Sequence, residues 1–321
     1  MKNKIVILSG DPNSINSELI YKSWKKLNDN TKKKIYFISN YQLLKKQFQK
    51  LHYKIKIVEV DNLYERENDL NLKVININLK FKKPFRVSKK SASQFVLNSL
   101  NLAHKYALKE NVKGIINCPI NKNLFKKKKF GVTEFLALKC DIKNKSEVML
   151  ISSKKLSVSP ISTHIDIKDV SKKINEKLII NKVKTINTWF KKILKRKPKL
   201  GILGLNPHNA EFRNDSEEKK IIIPSINKLR KYKINIKGPL VTDTIFINEY
   251  KNYDVIIGMY HDQVLAPFKS LFKFDAINIT LGLKYLRVSP DHGVATDLVG
   301  KNKSDPSSLV NCINFVNKYS K

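Results

Sequence analysis

Residues 253–309 gather most of the side chains in this chain that could do chemistry. The block contains Met259-Tyr260-His261-Asp262-Gln263, then Lys269, the strand-like Ala276-Ile277-Asn278-Ile279-Thr280-Leu281-Gly282, Arg287, and Asp291-His292-Gly293. An imidazole beside a carboxylate, at the end of the apolar run Val255 to Met259, has the setting of a ligand at the carboxyl end of a strand. Lys269 and Arg287 flank a strand-like segment and are suited to hold a phosphate or carboxylate. Two further histidines sit in the same kind of setting. His164 follows the run Leu156 to Ile161 in Ser162-Thr163-His164-Ile165, and His208 follows Gly201 to Leu203 in Gly204-Leu205-Asn206-Pro207-His208. Neutral imidazole suits a divalent transition metal with an open position for substrate. Spacing alone leaves open whether the three meet, because they lie far apart in the chain. His52 and His104 have no such setting and read as structural.

The elements that must position these residues alternate strand and helix almost from the first residue. Lys4 to Ser9 reads as a buried strand, Asn16 to Leu27 as a helix, Lys34 to Ser39 as a strand, Tyr41 to Leu51 as a helix, and Ile55 to Val60 as a strand. Val112 to Cys118, Val148 to Ser152 and Lys199 to Leu205 are further apolar runs, and Asp169 to Leu194 reads as one long helix. Such alternation predicts an α/β chain with a largely parallel sheet. No repeat, low-complexity tract or flexible linker interrupts it.

Composition narrows the function classes. Of 63 basic residues only six are arginine, and the net charge is +36. Nucleic-acid readers favour the planar arginine fork. Here lysine is spread along the whole chain with abundant Asn and Ile, all encoded by AT-rich codons, so codon drift explains the charge without a specific polyanion. The run Lys126 to Lys129 reads as a solvated loop face. Three cysteines without CxxC spacing argue against a disulfide framework or a cysteine zinc site. No stretch approaches the roughly 18 apolar residues of a membrane span. Met1 to Lys4 precede only a short apolar run, so a cytoplasmic protein without a secretory leader is expected.

Several segments, in order from Gly10 to Pro306, resemble the 4-hydroxythreonine-4-phosphate dehydrogenase family of pyridoxal phosphate biosynthesis. They are Ser162 to Val170, Gly204 to His208, Gly238-Pro239-Leu240-Val241-Thr242-Asp243-Thr244-Ile245-Phe246, Met259 to Gln263, and the block ending in Asp291-His292-Gly293. The resemblance implies a two-lobed isocitrate/isopropylmalate dehydrogenase-like α/β fold with its active site in the interdomain cleft. Residues 1–128 with 278–321 would form one lobe. Residues 129–277 would form the other and carry the metal ligands and the dimer interface. It further implies that His164, His208 and His261 bind one divalent ion (zinc, cobalt, manganese or magnesium), in a site shared across a homodimer. Asp243 is implied as a ligand or as the group that orients an imidazole or moves a proton, and with Lys269 it makes up the catalytic set. Thr133, Lys269, Asn278 and Arg287 are implied to bind substrate. The implied reaction is NAD-dependent oxidation of 4-phosphooxy-L-threonine at C3 with metal-assisted decarboxylation to 3-amino-2-oxopropyl phosphate.

The chain departs from the family pattern in two places. Gly131-Val132-Thr133-Glu134 stands where the family has Gly-His-Thr-Glu, and valine cannot donate a hydrogen bond. That change keeps an alternative in view, a paralogous dehydrogenase of another four-carbon phosphorylated acid such as a phospho-erythronate or phospho-threonate. In Gly10-Asp11-Pro12-Asn13-Ser14-Ile15-Asn16-Ser17-Glu18 both interior glycines of the family turn have become Ser14 and Asn16. Asn tolerates left-handed backbone, so the expectation is that the turn survives on that tolerance. No GxGxxG occurs, so NAD is expected without a standard dinucleotide loop.

Overall fold

The computed structural model describes residues 3–109, 111–125, 131–143, 146–273 and 275–319; Lys126 to Lys129 lie outside them. In chain order the strands are β1 (Lys4–Leu8), β2 (Ile35–Ser39), β3 (Ile57–Val60), β4 (Leu72–Asn76), β5 (Val112–Asn117), β6 (Val148–Ser152), β7 (Ser157–Pro160), β8 (Leu200–Leu203), β9 (Ile236–Leu240), β10 (Val255–Gly258), β11 (Ile277–Leu281) and β12 (Arg287–Pro290). The chain divides into two compact units, Met1–Leu136 with Lys284–Lys321, and Ala137–Leu283. Thr133 and Arg287 therefore belong to the first unit, and Lys269 and Asn278 to the second.

In the first unit the strands run β3-β4-β2-β1-β5-β12, every neighbouring pair parallel. A parallel strand covered on both faces must be apolar at every position, not at alternate ones. Ile5, Val6, Ile7 and Leu8 of β1 are completely buried, as are Ile35, Tyr36 and Ile38 of β2. Helix Asn16–Lys26 buries Leu19, Ile20 and Trp24, and helix Ser307–Lys318 packs against it and buries Leu309, Ile313 and Val316.

In the second unit the order is β11-β6-β7-β10-β8-β9. β11 and β6 pair antiparallel, as do β6 and β7, whereas β7, β10, β8 and β9 run parallel. Val158, Ile256 and Leu203 from three of those strands pack with Val264, Leu265 and Phe268 of helix His261–Phe272. The single helix expected over residues 169–194 is corrected to two. A short helix, Val170–Lys173, ends where Ile174 turns extended, and Asn175 starts helix Glu176–Ile193. The Asn175 side chain accepts from the Leu178 backbone N–H at 2.9 Å, which supplies a partner to a helix-end donor and favours a break there. The 21-residue helix Lys89–Lys109 and strand β4 are elements that the sequence reading did not single out.

The turn after β1 survives for a different reason from the one expected. Neither Ser14 nor Asn16 is left-handed; in that turn only Gly10 has positive φ. Asn16 instead opens a helix, and its Nδ2 donates at 2.8 Å to the carbonyls of both Ser9 and Pro119. A side chain that a glycine lacks thus ties the loop after β1 to the loop after β5. Gly10 must remain glycine for this, because a Cβ there would come within 2.6 Å of that same nitrogen. Replacing Asn16 with the family's glycine, Asn16→Gly, should cost about 1 kcal/mol in urea unfolding, because it removes the donor to the Ser9 carbonyl while the Pro119 carbonyl keeps the Asp11 N–H at 3.0 Å. Unchanged stability would show the bridge to be incidental.

Candidate active site

Because β7, β10, β8 and β9 are parallel, the loops that follow them emerge at one edge. The segments there carry His164 after β7, His261 at the start of the helix after β10, His208 after β8, and Asp243 in the short helix Thr242–Ile245 after β9. Ser162 locks the first two together: its N–H and its hydroxyl both donate to the Met259 carbonyl, at 3.0 and 2.6 Å.

The imidazoles form two groups. The rings of His164 and His261 lie 5.5 Å apart between centroids. His261 Nδ1 is 2.6 Å from Asp262 Oδ1, the outer contact that fixes a metal-binding histidine's tautomer and leaves Nε2 for an ion. His208 Nε2 is 3.8 Å from Asp243 Oδ2, and these side chains are 70% and 62% exposed. Among the described residues no three His, Cys, Asp or Glu side chains cluster closely enough to hold an ion. The donor set suits a divalent ion in chemistry, and within one chain it stands as two pairs.

His208 is aimed by a strained backbone. From His208 to Phe212 five successive non-glycine residues have φ between 44° and 56°, a left-handed turn. Such backbone costs roughly 1–2 kcal/mol per residue and persists only when its surroundings hold it. Within the turn Asn209 Nδ2 donates to the Pro239 carbonyl at 3.2 Å, and just before it the chain is held by Glu218, whose side chain is buried on a π-helical turn, Glu218–Ile222. Its Oε1 accepts from the Leu205 and Asn206 N–H groups at 2.7 and 2.8 Å, and its Oε2 accepts from Asn206 Nδ2 at 3.0 Å. Gly204 leaves room for this approach, since a Cβ there would collide with Asn209 Oδ1 and sit 3.1 Å from Glu218 Oε1. Burial alone would raise the Glu218 carboxyl, but the donors from Asn206 and Leu205 outweigh it and hold the group below the usual glutamate value.

The first unit holds a buried cation. Arg287, at the start of β12, is buried, and its Nε donates to Asn117 Oδ1 at the end of β5 at 2.7 Å. Its Nη1 is 3.4 Å from Thr133 Oγ1. Burial pulls the guanidinium down to about 10, with Cys312, Glu134 and Tyr285 opposing, so it stays charged at neutral pH. Val132 begins the same helix as Thr133, Val132–Lys139. In the second unit, Lys269 lies half-buried on helix His261–Phe272. Asn278 lies on β11 with its Oδ1 shielded from solvent and, among the described residues, without a hydrogen-bond partner, an acceptor suited to a ligand donor.

Asn117, Glu218 and Gln263 are the residues that sequence reasoning missed. Only Gln263 carried a signal, its place two residues after His261. The Glu218 brace gives a test. Glu218→Ala leaves two buried N–H groups unpaired and should cost roughly 2–4 kcal/mol. Because the folded carboxyl is more acidic than a free glutamate, its stabilisation is complete above the free value of 4.5 and is lost as pH falls through the lower folded value. Glu218→Gln should remove that acid dependence from urea midpoints measured between pH 3 and 7; an unaltered acid limb would place the titration elsewhere.

Comparison with known proteins now gives the site a context. Residues 30–316 match the family model described as pyridoxal phosphate biosynthetic protein PdxA. The chain is 36% identical over 317 residues to the 4-hydroxythreonine-4-phosphate dehydrogenase of Sulfurihydrogenibium sp. (strain YO3AOP1), covering 97% of this chain and 96% of that one. It is 37% identical over 322 residues to the enzyme of the same name from Aquifex aeolicus (strain VF5), covering 98% of each. The crystal structure of 4-hydroxythreonine-4-phosphate dehydrogenase from Klebsiella pneumoniae superposes with a TM-score of 0.85 at 26% identity, covering 98% of each chain. The chain belongs to the PdxA family of pyridoxal phosphate biosynthetic proteins.

Proposed function

We propose that this protein is a dehydrogenase that oxidises 4-phosphooxy-L-threonine at C3 with NAD and releases carbon dioxide, leaving 3-amino-2-oxopropyl phosphate for pyridoxal 5'-phosphate synthesis. Relatives of that name, aligned over nearly the whole chain, support the reading. The observation that carries it is the placement of His164, His208, His261 and Asp243 on loops at one edge of four parallel strands.

In this reading the three imidazoles share one divalent ion in a homodimer, and a second copy of the chain completes the ligand set. The exposure of His208 and Asp243 supports that arrangement, as does that of the apolar residues Ile165, Ile167, Phe212 and Ile247 on or just after the same loops. An ion there supplies a Lewis acid for the C3 oxygen, and NAD supplies the hydride acceptor. The chain's own residues bind and orient. Arg287 and Lys269 pair with the phosphate and carboxylate, while Thr133 and Asn278 exchange hydrogen bonds with the substrate's polar groups. Asp243 holds the His208 imidazole and accepts the proton that leaves the C3 hydroxyl. Oxidation moves a hydride from C3 and a proton from its oxygen. The β-keto acid then loses its carboxylate as carbon dioxide, and a proton returns to C2.

The test is NADH formation at 340 nm by metal-stripped and metal-restored protein, offered 4-phosphooxy-L-threonine and phospho-D-erythronate separately. Metal-dependent turnover preferring the threonine phosphate is expected, which would show that Val132 is tolerated. Preference for the erythronate would make Val132 a change of specificity and overturn the substrate assignment. In the same assay His208→Ala and His261→Ala should abolish turnover with the fold intact. Arg287→Lys, which removes the fork that Asn117 orients, should raise KM about 30-fold, roughly 2 kcal/mol.

A further inference from the structure

We infer that Gln263 is a positioning residue that sets the relative placement of the ligand-bearing loops of the second unit, through one buried amide bonded to three of them. The inference rests on the metal reading above and extends it to a residue that touches neither ion nor substrate.

The amide makes three contacts. Gln263 Oε1 accepts from the Met259 N–H at 2.6 Å, in the loop that carries His261. Its Nε2 donates to the Gly204 carbonyl at 2.7 Å, where the chain leaves β8 towards His208. The same nitrogen donates to Thr242 Oγ1 at 3.0 Å, next to Asp243. Both amide hydrogens and the amide oxygen are therefore engaged in a side chain only 6% exposed. Met259 passes the linkage on, because its carbonyl receives the two Ser162 bonds that anchor the His164 loop. One side chain thus stands in a connected set of hydrogen bonds reaching all three histidine loops and the Asp243 loop.

Chemistry at a metal requires ligands fixed to within a fraction of an ångström, and the groups behind the ligands supply that fixity. Parallel strands bring the loops to one edge, but they do not set the height or tilt of each loop. Among the described residues no backbone hydrogen bond between the β10 and β8 loops duplicates the Gln263 link. The competing reading is that Gln263 only caps helix His261–Phe272, as a Gln in the first turn reaching back to an N–H does. A cap needs the Met259 contact alone. The Gly204 and Thr242 contacts lie on other strands' loops and add nothing to it.

The probe is Co2+, titrated into metal-free wild-type protein, Gln263→Glu, Gln263→Met and Thr242→Val, and followed by its visible absorption bands. Thermal unfolding of each metal-free protein is recorded alongside. Gln263→Glu keeps the acceptor for Met259 and loses both donors, so it separates capping from loop positioning. A Co2+ dissociation constant raised about 10–100-fold in folded Gln263→Glu and Gln263→Met, with altered band intensities, is expected for a group that orients ligands. Thr242→Val, which removes one contact and keeps shape, should weaken Co2+ by a smaller factor while unfolding at the wild-type temperature. Wild-type affinity and spectrum in folded Gln263→Glu would reduce Gln263 to a helix cap and overturn the inference. If the Gln263 variants do not fold, an unchanged Co2+ constant in Thr242→Val overturns it equally. A wild-type protein that takes up no Co2+ would instead defeat the metal reading itself, and this inference with it.

Discussion

The parallel alignment of β7, β10, β8 and β9 is the constraint on which the candidate site depends. Strands that share a direction release their following loops at one edge, so residues far apart in sequence become neighbours without any local motif. His164, His208, Asp243 and His261 arrive by that route. In the first unit the parallel register of β5 and β12 sets Arg287 beside Ile115, and its side chain reaches Asn117 at the end of β5.

Alignment brings loops together, and buried polar side chains then fix them. The segment from His208 to Phe212 holds a left-handed backbone that no glycine relieves. Just before it, Glu218 fixes Leu205 and Asn206 through two backbone N–H bonds and one side-chain bond, and it stays ionised because those donors favour the charged form. Asn117 plays a comparable part for Arg287, accepting from Nε and so setting the plane of the guanidinium. In both places an acceptor supplied by the protein fixes the chain or side chain beside a residue that the sequence marks as a candidate for the site.

The strands were legible because a doubly covered parallel strand has no choice but to be apolar throughout, as in Ile5 to Leu8 and Val255 to Ile257. The histidines were legible because each follows such a run. What resisted reading was everything that depends on reach between distant loops. Glu218 sits in Ser216-Glu217-Glu218-Lys219, a stretch that reads as ordinary surface, and its burial follows only from where β8 ends. The left-handed turn lacks the glycines that would announce it. Asn16 was read as a tolerant backbone residue, whereas its side chain does the work by bridging two loops. Asn175 was likewise passed over inside an apolar period that continues on both sides of it.

The central claim is that three imidazoles from three loops share one divalent ion. Its most direct measurement is anomalous scattering from crystals grown with Zn2+ or Co2+, collected on both sides of the metal's absorption edge. The expected result is one strong peak bonded at about 2.0–2.1 Å to imidazole nitrogens of His164, His208 and His261, with a second copy of the chain contributing at least one of them. No peak at these residues, or an ion bound to His261 with His208 remote from it, would contradict the claim.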